Sequence, residues 1–501
     1  MALTYGCGHR KRNLMIQGTM SSAGKSLLVT GLCRIFHQDG HQVAPFKSQN
    51  MALNSYITLE GLEMGRAQVT QAEAAGIEPT VHMNPILLKP TSDMGSQVIV
   101  NGEVWKTLHA AEYYACKEQL RPLILEAYRT LEREYDVIVL EGAGSPAEIN
   151  LRKNDFVNMG MAEMVDAPVL LVADIDRGGV FASIYGTVML LAPEERARIK
   201  GVIINKFRGD VKILRPGLTQ IENLIHIPVL GVVPYLHLDI DDEDSVTQRF
   251  CGKDAPAILD VAVIRFPHIS NATDFNALDR VLPGCVRYVR RARELKDPDL
   301  VILPGTKSTM DDLLWMRQNG LEAAVKHYAA NGNPVIGVCG GYQMLGRTLS
   351  DPACVERGGD MLGMDLLPVD TVFCTQKTRT RVTGAVQGIS GFYAPLSGAK
   401  FSGYEIHMGA TRSAAAFSLL SNGTADGAVS GNILGSYVHD LFDDELGHRL
   451  LKLLADRKGV ALDGAPINAW QHKQRQYDLL SDALRECLDM EAIYRILEDG
   501  A

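Results

Sequence analysis

Short apolar segments rich in β-branched residues alternate with longer stretches of helical pattern through the first half of the chain. Apolar strands joined by helices are typical of a parallel sheet that is covered on both faces. The pattern therefore predicts a doubly wound α/β domain over 13–235. Its predicted strands are Asn13–Gln17, Gln42–Phe46, Asp136–Leu140, Val169–Ala173, Gly201–Ile204 and Pro228–Val233.

The pattern breaks at the acidic stretch LDIDDEDS, residues 238–245, and then resumes. Such a charged stretch is expected to be solvated, so we interpret 236–257 as a linker. The second series predicts another α/β domain with a mainly parallel sheet over 258–450, followed by a helical segment over 451–501. Its predicted strands are Asp260–Phe266, Leu300–Leu303, Pro334–Val338 and Ile433–Val438.

Composition narrows the classes of function. A formal net charge of −9 over 501 residues disfavours a protein that binds nucleic acid or an acidic membrane surface. The nine cysteines include no C-x-x-C pair, which disfavours a zinc site or a disulfide framework. No apolar run is long enough to span a bilayer. We therefore expect a cytoplasmic protein without nucleic-acid or membrane partners.

A phosphate-binding loop is predicted at Gly18–Ser26, GTMSSAGKS, between the first strand and an apolar helix. Phosphate binding requires backbone N–H donors from a tightly wrapped loop, a helix N-terminus and a cation. Five residues separate the two glycines, where the common P-loop has four. Ser26 is also a predicted Mg²⁺ ligand. The predicted ATP-binding residues of the loop are Gly18, Thr19, Gly24, Lys25 and Ser26.

Other polar residues stand at the ends of predicted strands, where ligands bind in such sheets. Glu141 ends DVIVLE and is the second predicted Mg²⁺ ligand. Lys47 follows another strand and could contact phosphates, and Asn205 follows a third and could bind the adenine edge. For Asp174 and Asp176, capping of the next helix and metal binding remain equally open.

A nucleophilic cysteine is predicted in the second half. Cys339, in VIGVCGGYQMLG, stands at a strand end before two glycines and an apolar helix. A sharp turn from strand to helix exposes a nucleophile, small neighbours permit that turn, and the helix N-terminus favours the thiolate.

A cysteine nucleophile needs a base and an oxyanion hole. His439, in GSYVHDLF, closes another predicted strand and is the preferred base; His407, in GYEIHMG, is the competitor. The backbone N–H groups of Gly305, in PGTKST, and of Gly340 are the predicted oxyanion donors.

Together these motifs resemble the cobyric acid synthase family, glutamine-hydrolysing amidases of cobalamin biosynthesis. The resemblance extends from about Leu14 to Leu454. The family's front domain is similar to dethiobiotin synthetase, whose phosphate loop has the same longer glycine spacing. The segments that carry the resemblance include QGTMSSAGKS, PFKSQNMALNS, MGRAQ, EGAGSPAEINL, DIDRGGVFAS, NKFRGD, SNATDF, PGTKST, GVCGGYQMLG, GYEIHMG and GSYVHDLF.

The resemblance implies a reaction and its partners. L-Glutamine would be hydrolysed at Cys339, and ATP with Mg²⁺ would activate the b, d, e and g carboxylates of adenosylcobyrinic acid a,c-diamide for amidation. A homo-oligomer is compatible with the sequence. A typical class I amidotransferase has a glutamate two residues after the histidine, but Leu441 occupies that position here. We therefore predict a Cys-His dyad, as in the cobyric acid synthase branch.

Two alternatives remain open at the level of the sequence. Cobyrinic acid a,c-diamide synthase shares both domain types and the same chemistry. A nucleotide-switch protein with an inert amidotransferase-like domain belongs to a different class, and an intact pair of Cys339 and His439 argues against it.

Overall fold

The chain folds as two compact units, each assembled from separated segments of sequence. The computed structural model describes residues 12–90, 95–241, 258–413, 415–443, 445–462 and 467–501. Unit 1 comprises Met1–Met51, Met64–Ile240 and Lys473–Ala501, and unit 2 comprises Ala52–Glu63 and Asp241–His472. Most of the predicted linker, residues 242–257, lies outside the described residues.

Unit 1 is built on a six-stranded sheet in which every neighbouring pair of strands is parallel. Its strand order is β12-β11-β10-β1-β9-β2. The inner strands are almost wholly buried because helices cover both faces, which confirms the predicted fold class. The strands are β1 (Arg12–Gly18), β2 (Val43–Phe46), β9 (Val137–Glu141), β10 (Val169–Asp174), β11 (Ile199–Phe207) and β12 (Val229–Pro234).

A smaller sheet in unit 1 has the order β3-β6-β7-β8, with β3 parallel to β6 and the other pairs antiparallel. It consists of β3 (Gln49–Met51), β6 (Ile86–Pro90), β7 (Gly95–Val100) and β8 (Glu103–His109). Two further short strands of the first half of the sequence are β4 (Ser55–Ile57), which belongs to unit 2, and β5 (Glu63–Gly65). The helices of this half are α1 (Lys25–Gln38), α2 (Arg66–Ala74), α3 (Ala110–Glu134), α4 (Met159–Met164), α5 (Val180–Leu190), α6 (Pro193–Ala197) and α7 (Val211–Ile225).

Unit 2 contains a second six-stranded sheet, of order β14-β13-β15-β16-β24-β23. All of its pairs are parallel except β23 with β24, which confirms a second mainly parallel sheet. Its strands are β13 (Val261–Ile264), β14 (Val286–Val289), β15 (Leu300–Leu303), β16 (Val335–Val338), β23 (Ala428–Ser430) and β24 (Ile433–Ser436). Its helices are α8 (Asn276–Val281), α9 (Ala292–Leu295), α10 (Thr309–Gln318), α11 (Leu321–Ala330), α12 (Gly340–Leu345) and α13 (Glu445–Lys458).

The predicted strand Ile433–Val438 is divided between two sheets. The chain leaves the parallel sheet after Ser436, and a short strand at Val438–His439 pairs with a long antiparallel hairpin instead. This change of sheet carries His439 away from the edge of β24. The sheet that contains this hairpin consists of β17 (Thr348–Asp351), β18 (Gly359–Leu362), β19 (Asp370–Val386), β20 (Lys400–Arg412), β21 (Ser418–Leu420), β22 (Ala425–Asp426) and β25 (Val438–His439).

The C-terminal helices α14 (Ala469–Cys487) and α15 (Met490–Asp499) return to complete the core of unit 1. Leu480 and Leu484 of α14 are fully buried in that core, where they pack on α1. Gly31 permits this close packing: a Cβ at position 31 would lie 2.2 Å from Leu484 Cδ1 and 3.1 Å from Leu480 Cγ.

Gly31→Ala is therefore expected to lower the thermal unfolding midpoint, because overpacking of a close helix contact costs about 1–3 kcal/mol. Gly186→Ala is the matched control, since Gly186 also lies inside a helix and nothing stands within 4 Å of its added Cβ. There the higher helix propensity of alanine should leave the midpoint unchanged or raise it. Equal midpoints for the two variants, measured by circular dichroism, would contradict the packing role of Gly31.

Candidate active sites

The phosphate-binding loop of unit 1 has the predicted geometry of strand, loop and helix. The sequence places Gly18 at the end of β1 and Lys25 at the first position of α1. Gly24 has φ +96°, and a Cβ on it would lie 2.0 Å from Asn205 Nδ2. Both the backbone conformation and the lack of space therefore require glycine at this position. Lys25 Nζ donates to the carbonyls of Met20 and Gly144, both at 3.2 Å, which holds the ammonium across the loop.

Residues from the end of β11 brace the loop from outside. Asn205 Nδ2 donates to Ala23 O at 2.9 Å, and Lys206 Nζ donates to Ser22 O at 2.6 Å and to Asp174 Oδ2 at 2.8 Å. The structure thus places Asn205 against the loop, and its contact with adenine stays a prediction. The backbone N–H of Asp176 donates to Asp174 Oδ1, so the carboxylate of Asp174 organises its own turn. The Thr19 hydroxyl is buried and has no hydrogen-bond partner among the described residues, which fits a group that binds a ligand.

Glu141, at the end of β9, is the buried centre of the unit 1 site. Its side chain is fully buried, and Oε1 accepts from Ser26 Oγ and from Lys47 Nζ, both at 2.8 Å. Gln71 Nε2, from α2, donates to Oε2 at 2.5 Å. The predicted pair Ser26 and Glu141 is therefore in direct contact, and Lys47 joins it. Sequence reasoning missed Gln71, because nothing in its helical segment signals a contact with a strand end.

These residues fit a magnesium ion that is bound mainly through nucleotide phosphates. Mg²⁺ prefers oxygen ligands and usually takes only one or two from the protein, the rest being phosphate and water. Ser26 Oγ and the Glu141 carboxylate supply such oxygens. No group of three or more His, Cys, Asp or Glu side chains gathers as a metal site within the described ranges, so an all-protein metal cage is absent there.

Cys339 of unit 2 lies in a strained turn between β16 and α12. Its φ of +50° and ψ of −107° are unfavourable for a residue with a Cβ, and such strain is typical of a nucleophile held out of a strand end. The turn needs small neighbours: a Cβ on Gly341 would lie 2.0 Å from Leu303 O, and one on Gly340 would lie 2.7 Å from Thr306 Cγ2.

His439 is the histidine that the structure brings to Cys339. The Cys339 side chain lies beside the His439 ring and interacts with it electrostatically. On the opposite side of the ring, His439 Nδ1 lies 2.7 Å from Asp274 Oδ2, and both side chains are about 1% exposed. His407 instead bonds Gly409 O through Nδ1 at 2.7 Å and stacks on Tyr437. The structure therefore favours His439 over its competitor.

Asp274 corrects the prediction of a dyad. The residue belongs to SNATDF, 165 positions before His439, and its other oxygen accepts from the backbone N–H of Asp440 at 3.2 Å. Burial on its own lowers the pKa of His439, but the charge and hydrogen bond of Asp274, together with Cys339, raise that pKa to about 10. The arrangement is a Cys-His-Asp triad whose acid comes from a remote loop.

The predicted oxyanion donors lie beside this triad. A Cβ on Gly305 would lie 3.0 Å from His439 Cε1, so the backbone of Gly305 adjoins the imidazole. Gly340 opens α12, where first-turn N–H groups have no partner within the helix. A Cβ on Gly340 would lie 3.1 Å from Thr306 N, which places the two backbone segments next to each other. Their role as an oxyanion hole stays a prediction.

Two family models match the two halves of the chain. A CobQ/CobB/MinD/ParA nucleotide binding domain matches residues 14–245, and a CobB/CobQ-like glutamine amidotransferase domain matches residues 260–446. Within the described residues, no helix is long and apolar enough to cross a membrane.

Similar proteins match over nearly the full length. A protein named cobyric acid synthase from Ruminiclostridium cellulolyticum is 58% identical and aligns over 97% of both chains. Another of that name, from Lachnoclostridium phytofermentans, is 54% identical over 98% of this chain and 99% of its own. Among solved structures, PurLQS from Thermotoga maritima aligns over 40% of this chain and 99% of its own, with 18% identity and a TM-score of 0.31.

Proposed function

The chain belongs to the cobyric acid synthase family, and we propose that it amidates the b, d, e and g carboxylates of adenosylcobyrinic acid a,c-diamide with ATP and glutamine. The observation that carries this proposal is the set of Cys339, His439 and Asp274, in which Asp274 bonds the ring of His439 beside Cys339, in a chain that also has a complete phosphate-binding loop. The first arrangement releases ammonia from glutamine, and the second activates a carboxylate.

The proposed glutaminase reaction uses the three residues in sequence. The Cys339 sulfur attacks the side-chain amide carbon of glutamine, while the imidazolium of His439 protonates the departing nitrogen, so that a thioester and ammonia result. Water, deprotonated by His439, then hydrolyses the thioester to glutamate and restores the thiol. Asp274 holds the ring through Nδ1 and stabilises its positive charge. The Gly305 and Gly340 N–H groups would bind the oxyanion of each tetrahedral intermediate.

The proposed synthetase reaction takes place around Glu141. A substrate carboxylate attacks the γ-phosphorus of ATP, ADP leaves, and the resulting acyl phosphate is attacked by ammonia to give the amide and inorganic phosphate. The loop N–H groups and Lys25 would bind the phosphates, and Lys47 would stabilise charge on the transferring group. Mg²⁺, held by Ser26 and Glu141, would neutralise charge on the phosphate oxygens.

The triad disfavours the nucleotide-switch alternative. Such a protein has no use for a buried acid that orients a histidine towards a strained cysteine. The a,c-diamide synthase alternative shares this chemistry, and the full-length relatives named cobyric acid synthase favour the proposed substrate.

The proposed reaction is tested by mass spectrometry of adenosylcobyrinic acid a,c-diamide incubated with the protein, glutamine, ATP and Mg²⁺. We expect stepwise conversion to a product amidated at the b, d, e and g positions, with both glutamine and ATP required. A corrinoid of unchanged mass would overturn the substrate assignment. In a parallel incubation with cobyrinic acid, amidation only at positions a and c would establish the alternative.

The two sites should fail in different ways when each is disabled. Cys339→Ala should abolish glutamine-supported synthesis and leave synthesis from ammonium salts, because ammonia bypasses the thioester. Lys25→Ala should abolish both, because carboxylate activation is common to either nitrogen source. The measurement is amide formation with each nitrogen source. Equal loss of both activities in the Cys339 variant, or normal turnover in the Lys25 variant, would contradict the assigned roles.

Asp274→Asn should shift the pH dependence of glutamine hydrolysis. The active thiolate–imidazolium pair persists until the pH rises through the pKa of His439, which Asp274 raises. Asparagine keeps a hydrogen-bond acceptor but removes the charge, so the pKa should fall and the alkaline limb of kcat/KM should move down by about 1–3 pH units.

The control for this variant is Asp440→Asn. Asp440 follows His439 in sequence, and its φ of +57° suits asparagine, but the carboxylate that bonds the His439 ring is that of Asp274. Its alkaline limb should stay within a fraction of a unit of the wild type. An unchanged limb in Asp274→Asn would show that the carboxylate does not set the protonation of His439.

A further inference from the structure

The motif GYEIHMG of β20 contains two titratable side chains that the proposed reaction does not use. At its centre, the backbone carbonyl of Ile406 accepts a hydrogen bond from Cys339 Sγ at 3.6 Å. Successive side chains of a strand point to opposite faces, so Glu405 and His407, the two neighbours of Ile406, share one face of β20. Both side chains therefore lie one residue away from the contact with the nucleophile.

His407 presents a buried hydrogen-bond acceptor. Its Nδ1 lies 2.7 Å from Gly409 O, and because a carbonyl oxygen only accepts, Nδ1 carries the hydrogen. The Nε2 atom of the neutral ring is then an acceptor, and it has no hydrogen-bond partner within the described ranges. Stacking on Tyr437, with ring centroids 3.7 Å apart and planes 18° apart, fixes the ring in this orientation. A buried polar atom left unpaired is unfavourable, so this position calls for a donor.

Glu405 places a carboxylate near the same atom. Its Oε1 lies 3.7 Å from His407 Nε2, which is too far for a hydrogen bond, and the two side chains are 12% and 10% exposed. No lysine or arginine side chain in the described part of the chain forms an ion pair with Glu405. Two acceptors held at this distance are both satisfied when one ligand donates to each of them.

The surroundings of Glu405 are anionic. Asp426 is buried nearby, where it accepts from Ser436 Oγ at 2.6 Å and from the Tyr437 N–H at 3.0 Å. Burial, and with it the negative charge of Glu405, outweigh these bonds and raise the pKa of Asp426 to about 6. The two carboxylates are thus close enough to repel each other. A cation bound at Glu405 would relieve that repulsion, so the donor that fits this place is a positively charged one.

We propose that Glu405 and His407 bind the α-ammonium group of glutamine. An ammonium group has three N–H donors and a positive charge, so it can donate to Glu405 Oε1 and to His407 Nε2 at once. The α-nitrogen of glutamine is only a few bonds from the side-chain carbonyl carbon that Cys339 attacks, which fits an anchor one residue away from the Cys339 contact. This inference rests on the proposed function, because it takes Cys339 as the nucleophile of glutamine hydrolysis.

Such an anchor makes the glutaminase site selective for amides that carry an α-amino group. A site built to bind an N–H group rejects an analogue without it, because buried acceptors are then left unpaired. Glutaramate is glutamine without the α-amino group. In the wild type we expect kcat/KM for glutamine to exceed that for glutaramate by at least about 100-fold.

The test measures release of glutamate from glutamine, and of glutarate from glutaramate, by the full-length protein with ATP, Mg²⁺ and adenosylcobyrinic acid a,c-diamide present. Glu405→Gln keeps the shape of the side chain but removes its charge. It should lower kcat/KM for glutamine about 10- to 100-fold, mainly by raising KM, and change that for glutaramate by less than about twofold. His407→Phe keeps a ring against Tyr437 but removes the acceptor, so the preference for glutamine should fall about 5- to 10-fold.

Glu322→Gln is the matched control. Glu322 is a carboxylate of unit 2 with nearly the same exposure as Glu405, 13%, and it pairs with Arg317 at 2.6 Å. Its loss removes a charge of the same kind from a place that the proposal does not assign to glutamine. This variant should keep both the KM for glutamine and the preference over glutaramate.

Three results would each overturn the proposal. Equal losses for both substrates in Glu405→Gln would indicate a structural role, and an unchanged KM for glutamine would show that Glu405 and His407 interact only with each other. A loss of preference in Glu322→Gln as large as that in Glu405→Gln would show that the effect is not local.

Failure of the proposed function has a different signature. A wild type that hydrolyses glutamine but forms no amide would overturn the substrate assignment and leave the preference for glutamine to be decided by the variants. A wild type that releases no glutamate would overturn both proposals.

Discussion

A buried carboxylate must be compensated by donors or cations, and this constraint organises both sites. Glu141 and Asp274 are each about 1% exposed, at a depth where an unpaired charge costs several kcal/mol. Glu141 is compensated by Ser26, Lys47 and Gln71, and Asp274 by His439 and the Asp440 N–H. Each acid therefore collects its partners from distant parts of the sequence, and those partners are the groups that the chemistry needs.

The constraint also explains which site residues the sequence could reveal. Parallel sheets bring their carboxyl strand ends to one edge, so Lys47 and Glu141 could be expected near the phosphate loop from strand positions alone. Their direct contact, with Ser26 as a third member, follows from that geometry. The strands themselves were predictable because buried parallel strands are continuous apolar runs.

Two members of the sites could not be predicted from the sequence, namely the acid Asp274 and the donor Gln71. Asp274 lies in a short 3₁₀ turn, SNATDF, and Gln71 lies on a short helix; neither position has a periodic pattern that signals a catalytic contact. The dyad prediction failed for this reason, since it searched for an acid next to His439 in sequence. The division of Ile433–Val438 between two sheets was hidden in the same way, because a continuous apolar run does not show where a strand changes partners.

The assignment of separated segments to each unit could not be predicted either, because it depends on contacts between residues that are distant in sequence. Residues 52–63 belong to unit 2, where Glu63 pairs with Lys377, a residue distant from it in sequence. In unit 1, Tyr477 of α14 donates to Glu73 Oε2 at 2.7 Å at the end of α2, the helix that carries Gln71. The C-terminal helices therefore support the surroundings of Glu141, although their charged sequence indicates only a helical appendage.

The surroundings of the buried glutaminase residues are formed largely by one strand, β20. Cys339 is 7% exposed and His439 about 1%. The Cys339 thiol contacts Ile406 O of β20, and Tyr404 lies on the same strand. That stretch of β20 packs with Ile57 of β4 in a small apolar cluster. β20 therefore contacts the nucleophile through Ile406 and the base through Tyr404, so that one strand fixes the surroundings of both residues.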